Sequence, residues 1–377
     1  MNQFFCRLCG SSKNKNHLEL KNFPKAAQHF LNSIEEKNND IPVQLDVSEC
    51  KSCGLIQLKN EPVSYYKDVI TAASLSKASK DKLIKEWMPL IKKYKLKKTD
   101  AIEVGSCRGD FLEVLSELGF EVQGIENSAE SCNISSSKGF NTIHGYLEDI
   151  ASKLKNKFSL VVCNNFLEHQ PRTSNFIQGF NEILNESGIL YVSVPNLTYL
   201  TNKSCLYEFV SDHLVYFTEK TLKLAFEMNG FDVLEQYEKN NGNDLVIIAK
   251  KRPLKNFREC EMVVEQILQS LKKLISDAKN QNLTISVWSA GHRALALMAM
   301  AEMDYITNVI DSADFKQGKL TPILHKKIIS PEVFLSNPSD IIILMLPGTY
   351  SSQVKTFLKE NNVKTKVYIF EDEPIKS

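Results

Sequence analysis

The sequence predicts an α/β protein that also carries a small cysteine-rich domain and a second α/β domain. Four cysteines form two C-x-x-C pairs in residues 1–75, and strand-like apolar runs alternate with amphipathic segments in residues 76–252. A strand, a glycine turn and a helix follow again within residues 253–377. A chain of 377 residues is also too long for one ordinary hydrophobic core. We therefore expect three domains with these boundaries.

The central segment has the pattern of a parallel sheet. Amphipathic stretches separate its strand-like runs, which are Ala101–Val104, Glu121–Ile125, Leu160–Asn164 and Ile189–Val194. Near its end, Asn241-Gly242 stands between two β-rich runs, which is a strong hairpin signal. A parallel sheet that closes with an antiparallel hairpin is typical of a class I, Rossmann-like methyltransferase core rather than of a dehydrogenase.

The last segment predicts a second α/β unit. Residues 257–280 have the periodicity of an amphipathic helix, and residues 284–300 predict a strand, a glycine turn and a helix. Ile306–Asp311 and Ile341–Pro347 predict further strands. Because no G-x-G-x-x-G is present, we do not expect dinucleotide binding.

The composition excludes some classes of partner. Hydrophobic residues make up 43% and charged residues 24% of the chain, and the net charge is +1, so neither nucleic acid nor an anionic membrane is expected. The strongest apolar run, Ile341–Leu346, has only the length of a strand. The first residues lack the features of a secretion signal, and nine cysteines without one suggest reduced thiols. We expect a cytoplasmic protein, either a monomer or a weak homo-oligomer.

Two C-x-x-C pairs, Cys6 with Cys9 and Cys50 with Cys53, predict a structural zinc site. A glycine follows each pair and permits the tight turn beneath a metal ion. Four thiolates complete a tetrahedral Zn²⁺ and leave no position for a reacting water, so a catalytic zinc is not expected. The alternative is four free cysteines that do not meet.

A cofactor site is predicted where the first two strands of the central sheet end. Glu103 precedes a turn with two glycines, which lets the backbone approach a small ligand. Cys107 replaces the middle glycine of a regular fingerprint, which favours a methionine-bearing cofactor over a pyrophosphate. An acidic residue at the end of the second strand can accept both ribose hydroxyls. The predicted S-adenosylmethionine site comprises Glu103, Gly105, Ser106, Gly109, Glu126, Asn127, Leu147 and Asn164.

Further motifs are distributed along the chain: NNFLEHQP, FVSDHLVYFTEKTL, NGNDLVIIAKK, VWSAGHRALAL, DSADFKQGKLTP and LMLPGTYS. With the C-x-x-C pairs and EVGSCRGDFL, they resemble the nucleotide-sugar C-methyltransferases that act on 4-keto deoxysugars. The likeness covers nearly the whole chain, and DHLVYFT is its most specific motif. It implies a zinc domain, a methyltransferase core and a Rossmann-like C-terminal domain, with the sugar nucleotide held between the last two.

The resemblance also implies roles for side chains in deoxysugar methylation. A carbon beside a ketone becomes nucleophilic once a base removes its proton and the enolate is stabilised. His213 matches the family's base, Asp212 the acid that orients it, and His169 a second histidine that polarises the ketone or enolate oxygen. Tyr66 or its neighbour matches an assisting tyrosine. The residues expected to contact the acceptor are Tyr65, Asn196, Tyr216, Gly291 and Arg293, of which the last two would lie against a diphosphate.

The sequence departs from the family at two positions. The family commonly has a tyrosine two residues before the acid, where this chain has Val210, and the acid is Asp212 in place of a glutamate. The lost hydroxyl would face the sugar, so two alternatives stay open. One is O- or N-methylation of a sugar or another small acceptor. The other is an inactive protein that binds the cofactor as a regulatory module.

Overall fold

A computed structural model of the chain describes residues 3–25, 31, 33–63, 74–346, 348–370 and 372–373. The chain divides into two compact units, Met1–Pro253 and Leu254–Ser377. The cysteine-rich segment and the central sheet belong to the first unit and share one hydrophobic core. The expected boundary at residue 75 stays a prediction.

The cysteine-rich segment forms a small antiparallel sheet. Its strands are β1 (Asn14–Phe23), β2 (Val43–Cys50) and β3 (Ile56–Leu58), and a 3-10 helix, Glu35–Asn39, lies between the first two. A fourth strand, Val215–Tyr216, comes from much later in the chain and pairs with β3. This pairing ties the small sheet to the rest of the unit.

The central sheet has seven strands. The further strands of the unit are β4 (Ala101–Val104), β5 (Val122–Glu126), β6 (Asn141–His144), β7 (Phe158–Asn164), β8 (Leu184–Pro195), β9 (Val215–Tyr216), β10 (Phe231–Lys239) and β11 (Asp244–Lys251). The order is β10-β11-β8-β7-β4-β5-β6, with β4 to β8 parallel and β11 antiparallel to both neighbours. The predicted parallel sheet and its closing hairpin are confirmed.

The hairpin follows from its turn residues. Asn240, Asn241 and Gly242 have φ of 52°, 56° and 91°, in the left-handed region that asparagine and glycine tolerate best. Asp244 then pairs with Lys239 as β11 begins. The turn brings both of these side chains to the edge where the parallel strands end.

Helices cover the central sheet because its strands have apolar residues on both faces. Ile102 and Val104 contribute to one buried cluster, whereas Ala101 contributes to another. The helices are α1 (Lys77–Tyr94), α2 (Asp110–Glu117), α3 (Ala129–Ser137), α4 (Leu147–Ile150), α5 (Thr173–Ile183), α6 (Leu197–Asn202) and α7 (Glu219–Met228). Short 3-10 helices occur at Ala151–Leu154, Leu167–His169 and Leu206–Glu208.

The second unit is a five-stranded parallel sheet with helices. Its elements are α8 (Arg258–Asn280), β12 (Ile285–Trp288), α9 (His292–Met300), β13 (Asn308–Ile310), β14 (Ile328–Ile329), α10 (Pro331–Ser336), β15 (Ile341–Leu344), α11 (Tyr350–Glu360) and β16 (Lys366–Ile369). The strand order is β14-β13-β12-β15-β16. The predicted second α/β unit is confirmed.

Within the described part of the chain, no helix is both long enough and apolar enough to cross a membrane.

Candidate active site and metal centre

The four predicted metal ligands converge in the first unit. The Sγ atoms of Cys6 and Cys53 are 3.6 Å apart, those of Cys9 and Cys50 are 3.5 Å apart, and all four lie within 4.8 Å of one another. Thiolates at about 2.3 Å from a tetrahedral Zn²⁺ would be about 3.8 Å apart. The cluster therefore has the donor type and the spacing that a structural zinc requires.

The two C-x-x-C turns have the same backbone geometry. The amide of Gly10 donates to the carbonyl of Cys6, and the amide of Gly54 donates to the carbonyl of Cys50. Both glycines lie in the left-handed region, with φ of 70° and 76°. The two pairs are separated by 40 residues. Within this segment β1 and β2 pair antiparallel and bring the second turn beside the first.

A glycine turn follows β4 at the carboxyl edge of the central sheet. Gly105 and Gly109 both have φ of 77°. A Cβ on Gly105 would lie 2.8 Å from Cγ of Phe166, and one on Gly109 would lie 2.6 Å from Oγ of Ser135. Glycine is thus required by close packing as well as by the backbone angle.

Glu126 ends β5 beside this turn. Its Oε2 accepts a hydrogen bond from the amide of Cys107 at 2.9 Å, and its Oε1 accepts one from the amide of Ser128 at 2.7 Å. These bonds fix the carboxylate at the edge of the sheet. Because a carboxylate oxygen has two lone pairs, each retains capacity for a hydroxyl donor.

Glu103 lines a cavity of about 310 Å³ at the same edge, together with Gly105, Ser106 and Asn164. Its Oε1 accepts a hydrogen bond from Nδ2 of Asn164 at 3.2 Å, whereas its buried Oε2 has no partner among the described residues. Burial raises the pKa of Glu103 to about 8. A buried carboxyl oxygen without a partner needs a donor, and a ligand can supply it.

A narrow slot lies next to the glycine turn. It is lined by Glu126, Asn127, Leu147 and Phe166, among others. Leu147 is buried and packs in the main core, so the slot is apolar on that side. The structure thus brings seven of the eight predicted cofactor residues to this cavity and slot, whereas Gly109 lies one turn away as the N-cap of α2.

Two histidines from distant parts of the chain lie together. His169 follows β7, and His213 lies just before β9. The rings of His169 and His213 are 4.6 Å apart between centroids and nearly perpendicular, at 87°. His169 is 3% exposed, and its Nδ1 lies 3.0 Å from the carbonyl oxygen of Asp212. A carbonyl only accepts, so Nδ1 carries the proton and Nε2 presents a lone pair.

Burial keeps both imidazoles neutral. It lowers the pKa of His169 to about 3, with a further contribution from His213, and it lowers the pKa of His213 to about 4. The ring nitrogens of His213 have no hydrogen bond with any described residue. Both histidines therefore offer a lone pair at neutral pH.

Asp212 was expected to orient His213, but its side chain and its carbonyl lie beside His169. Its Oδ2 lies 3.8 Å from Nδ1 of His169, and its backbone carbonyl accepts the proton of that nitrogen. Burial raises the pKa of the Asp212 carboxyl. Asp212 thus positions His169, while His213 is its neighbour in the chain.

Two residues that were expected to bind substrate have structural hydrogen bonds instead. Asn196 caps α6 by accepting from the amide of Thr198, and its Nδ2 donates to Glu238 and to the carbonyl of Gly242 in the hairpin. The hydroxyl of Tyr216 accepts from the amide of Val210 at 2.9 Å and donates to its carbonyl. Neither side chain has a donor left for a ligand.

The other predicted acceptor residues lie elsewhere. Tyr65 and Tyr66 are outside the described residues. Gly291 caps α9 in the second unit, where Arg293 forms an ion pair with Asp372 beside a cavity of about 290 Å³.

Sequence reasoning missed several residues of the site. Lys239, Asn240 and Asp244 line the 310 Å³ cavity, and Phe166 lines the slot and packs against Gly105. The Asn-Gly hairpin signal could have pointed to the first three, because β11 lies beside β8 in the predicted fold. No local signal identifies Phe166.

Two protein families match the chain. Residues 76–236 match a methyltransferase domain, and residues 247–370 match a C-methyltransferase C-terminal domain.

Two curated proteins are similar in sequence. The C-methyltransferase NovU of Streptomyces niveus is 23% identical over 376 residues, which cover 90% of this chain and 89% of NovU. A ubiquinone biosynthesis O-methyltransferase of Glaesserella parasuis is 27% identical over 107 residues, 26% of this chain and 45% of that protein.

Solved structures resemble part of the chain. A SAM-dependent methyltransferase from Archaeoglobus fulgidus has 21% identity and a TM-score of 0.38, covering 46% of this chain and 95% of its own. The magnesium protoporphyrin IX methyltransferase of Synechocystis PCC 6803 has 14% identity and a TM-score of 0.38, covering 48% and 90%.

Both histidines are expected to stay neutral across the physiological pH range. Because burial lowers the pKa of His169 to about 3 and of His213 to about 4, their Cε1–H resonances should not shift between about pH 8 and about pH 5. NMR titration measures these shifts, and the spectra of His169→Gln and His213→Asn assign the two resonances. In denaturant the same residues should titrate near the ordinary value of about 6.5. A midpoint close to that value in the folded protein would contradict the prediction.

Proposed function

We propose that this chain, an S-adenosylmethionine-dependent methyltransferase with a C-methyltransferase C-terminal domain, methylates a carbon beside the ketone of a nucleotide-linked sugar. The match to the C-methyltransferase C-terminal domain supports carbon as the methylated atom. The resemblance of the DHLVYFT motif to nucleotide-sugar enzymes supports the acceptor class. One observation carries the mechanism: two neutral imidazoles, of the buried His169 and the partly exposed His213, lie together at the carboxyl edge of the sheet that holds the cofactor residues.

The residues that line the cavity and the slot have the chemistry to bind S-adenosylmethionine. Glu126 is fixed where its free acceptor capacity can receive ribose hydroxyls, and the unpartnered Oε2 of Glu103 can receive the methionyl ammonium. The apolar side of the slot, at Leu147 and Phe166, suits an adenine. When bound, the cofactor supplies an electrophilic methyl group that a carbon nucleophile takes as the S–CH₃ bond breaks.

His213 is the base in this proposal. Its neutral ring can accept the proton of the carbon beside the ketone, and the electron pair of that C–H bond moves toward the carbonyl oxygen. His169 is held by the carbonyl of Asp212 and presents a lone pair beside His213. Nε2 of His169 is therefore suited to accept a hydrogen bond from a hydroxyl group of the sugar that is methylated. Tyr66 remains a proposed assistant outside the described residues.

The proposal includes a structural Zn²⁺ held by Cys6, Cys9, Cys50 and Cys53. The ion would stabilise the small sheet, since it would cross-link two turns that are 40 residues apart. Cys6 and Cys50 also belong to the core shared with the central sheet. Zinc therefore supports the position of β3 and β9 and takes no part in the chemistry.

Replacing Gly105 should weaken cofactor binding selectively. The new Cβ in Gly105→Ala would meet the Phe166 ring at 2.8 Å, so the ring must move into the slot. We expect the Kd for S-adenosylhomocysteine to rise about tenfold or more, measured by calorimetry. Gly139→Ala is the matched control, because Gly139 also has positive φ but has no atom within 4 Å of the added Cβ. Equal losses in both variants would assign the effect to backbone strain alone.

Removing one thiolate should release the metal. Elemental analysis should find about one zinc per chain in the wild type and in Cys260→Ser, whose thiol is exposed, and little in Cys50→Ser. The buried thiol should also matter for stability, so Cys50→Ser should have a lower Tm. Zinc-free wild-type protein with an unchanged Tm would contradict this assignment.

The acceptor and the base can be tested together. Labelled S-adenosylmethionine is mixed with a panel of nucleotide-linked 4-keto-6-deoxyhexoses, and NMR locates the methyl group on the product. We expect it on carbon, and we expect His213→Asn to lower kcat about 10²- to 10⁴-fold with unchanged S-adenosylhomocysteine binding. His325→Asn, an exposed histidine of the second unit, is the control. Methyl on oxygen or nitrogen would favour the alternative reaction, and cofactor binding without any methylation would favour a regulatory module.

A further inference from the structure

Enolate formation requires a hydrogen-bond donor at the carbonyl oxygen, and the two histidines do not provide one. The proton on Nδ1 of His169 is used by the carbonyl of Asp212, which leaves Nε2 as an acceptor. His213 has to be unprotonated to act as the base. The oxygen that gains negative charge therefore needs another donor.

Among the described residues, the tyrosine whose ring lies beside His213 is also committed to another partner. The related family places a tyrosine two residues before the acid, and this chain has Val210 there. The hydroxyl of Tyr216 donates to the carbonyl of Val210. It is therefore committed to the backbone of the loop.

Glu168 has the required position. It lies in the 3-10 helix after β7 and is 2% exposed, and its carboxyl oxygen Oε1 is 3.9 Å from Nε2 of His169. Its Oε2 is buried and has no hydrogen-bond partner among the described residues. Glu168, His169 and His213 each present a polar atom within 4.8 Å of the others.

The surroundings of Glu168 keep its proton in place. Burial, together with the charges of Asp244 and Asp212, raises its pKa to about 8 against a hydrogen bond from the backbone. The titratable groups that face it from the neighbouring elements are Cys163, His169, Asp212, His213, Tyr216 and Asp244. None of these described groups is a cation at neutral pH, so none of them favours the carboxylate.

We propose that Glu168 is a catalytic residue whose protonated carboxyl donates a hydrogen bond to the ketone oxygen of the acceptor. This inference rests on the proposed function and names the group that stabilises the enolate. His213 takes the proton from carbon, the electron pair reaches the carbonyl oxygen, and the O–H of Glu168 holds that oxygen. When the carbon forms its new bond, the carbonyl is restored, Glu168 keeps its proton, and the one released proton leaves from His213.

The spacing of Glu168 and His169 lies between the values for a metal ion and for a shared oxygen. Two ligands at about 2.1 Å from a tetrahedral ion would be about 3.4 Å apart. Two groups hydrogen-bonded to one oxygen at about 2.8 Å would be about 4.6 Å apart. Oε1 of Glu168 is 3.9 Å from Nε2 of His169, so the experiment includes a bound divalent ion among its outcomes.

The test is exchange of the proton beside the ketone for deuterium, in D₂O with S-adenosylhomocysteine in place of the methyl donor. Mass spectrometry measures exchange into the same panel of nucleotide-linked keto sugars. We expect Glu168→Leu to lower the exchange rate about 100-fold and Glu168→Gln, which keeps an N–H donor, to lower it much less. Glu130→Gln makes the same change on an exposed carboxylate and should have no effect. Binding of S-adenosylhomocysteine reports whether each variant is folded.

The pH dependence adds a second readout. Above about pH 8 the wild-type exchange rate should fall as Glu168 loses its proton, because the pKa is raised to about 8 and the protonated form is the active one. Glu168→Gln should lack this fall. At pH 7 the infrared difference spectrum between wild type and Glu168→Gln should contain the C=O stretch of a protonated carboxyl, with no substrate present.

The outcomes separate the two proposals. The role of Glu168 would be overturned if folded Glu168→Leu exchanged the proton as fast as the wild type. Carboxylate bands in the difference spectrum would overturn it too. Both outcomes would leave C-methylation intact. Wild-type protein that neither exchanges nor methylates at carbon would overturn the proposed function itself. A second bound divalent ion that is lost in Glu168→Gln would replace the proton donor with a Lewis acid.

Discussion

Two hydrogen bonds between the 3-10 helix after β7 and the segment before β9 hold the candidate site and the small sheet together. Nδ1 of His169 donates to the carbonyl of Asp212, and the amide of Leu214 donates to the carbonyl of Glu168 at 2.8 Å. The same segment continues as β9, which pairs with β3. The segment before β9 therefore fixes the tautomer of His169 and, through β9, also anchors the cysteine-rich sheet on the core.

Burial at the carboxyl edge of the central sheet favours the neutral form of four ionisable groups. The pKa values of Glu103 and Glu168 are raised to about 8, while those of His169 and His213 are lowered to about 3 and 4. Where such groups are neutral, the charges that a ligand brings act strongly, because few countercharges and little water screen them. A cationic cofactor and a developing enolate would then interact most strongly with each other and with the dipoles of these groups.

Local patterns predicted the fold well and the site in part. The strands and the hairpin depend on apolar runs and on Asn241-Gly242, which are contiguous in sequence, so they were predictable. By contrast β14 has two residues and β16 begins with a lysine, so neither has a clear pattern. The role of Phe166 depends on packing against Gly105 across 61 positions, and the contact of Asp212 with His169 depends on side-chain direction. Sequence spacing contains neither kind of information.

The hydrogen-bond donors and acceptors of the site indicate which kind of molecule it can methylate. The hydroxyl of Tyr216 and the Nδ1 proton of His169 are both committed to backbone carbonyls. Among the described residues of this cluster, the proposed donor is the carboxyl of Glu168, which lies near the acceptor nitrogens of His169 and His213. An alcohol needs only a proton acceptor to become a nucleophile, whereas a ketone needs an acceptor for its C–H proton and a donor for its oxygen. One donor beside two acceptors matches the second demand, and it makes the loss of a tyrosine at Val210 compatible with methylation at carbon.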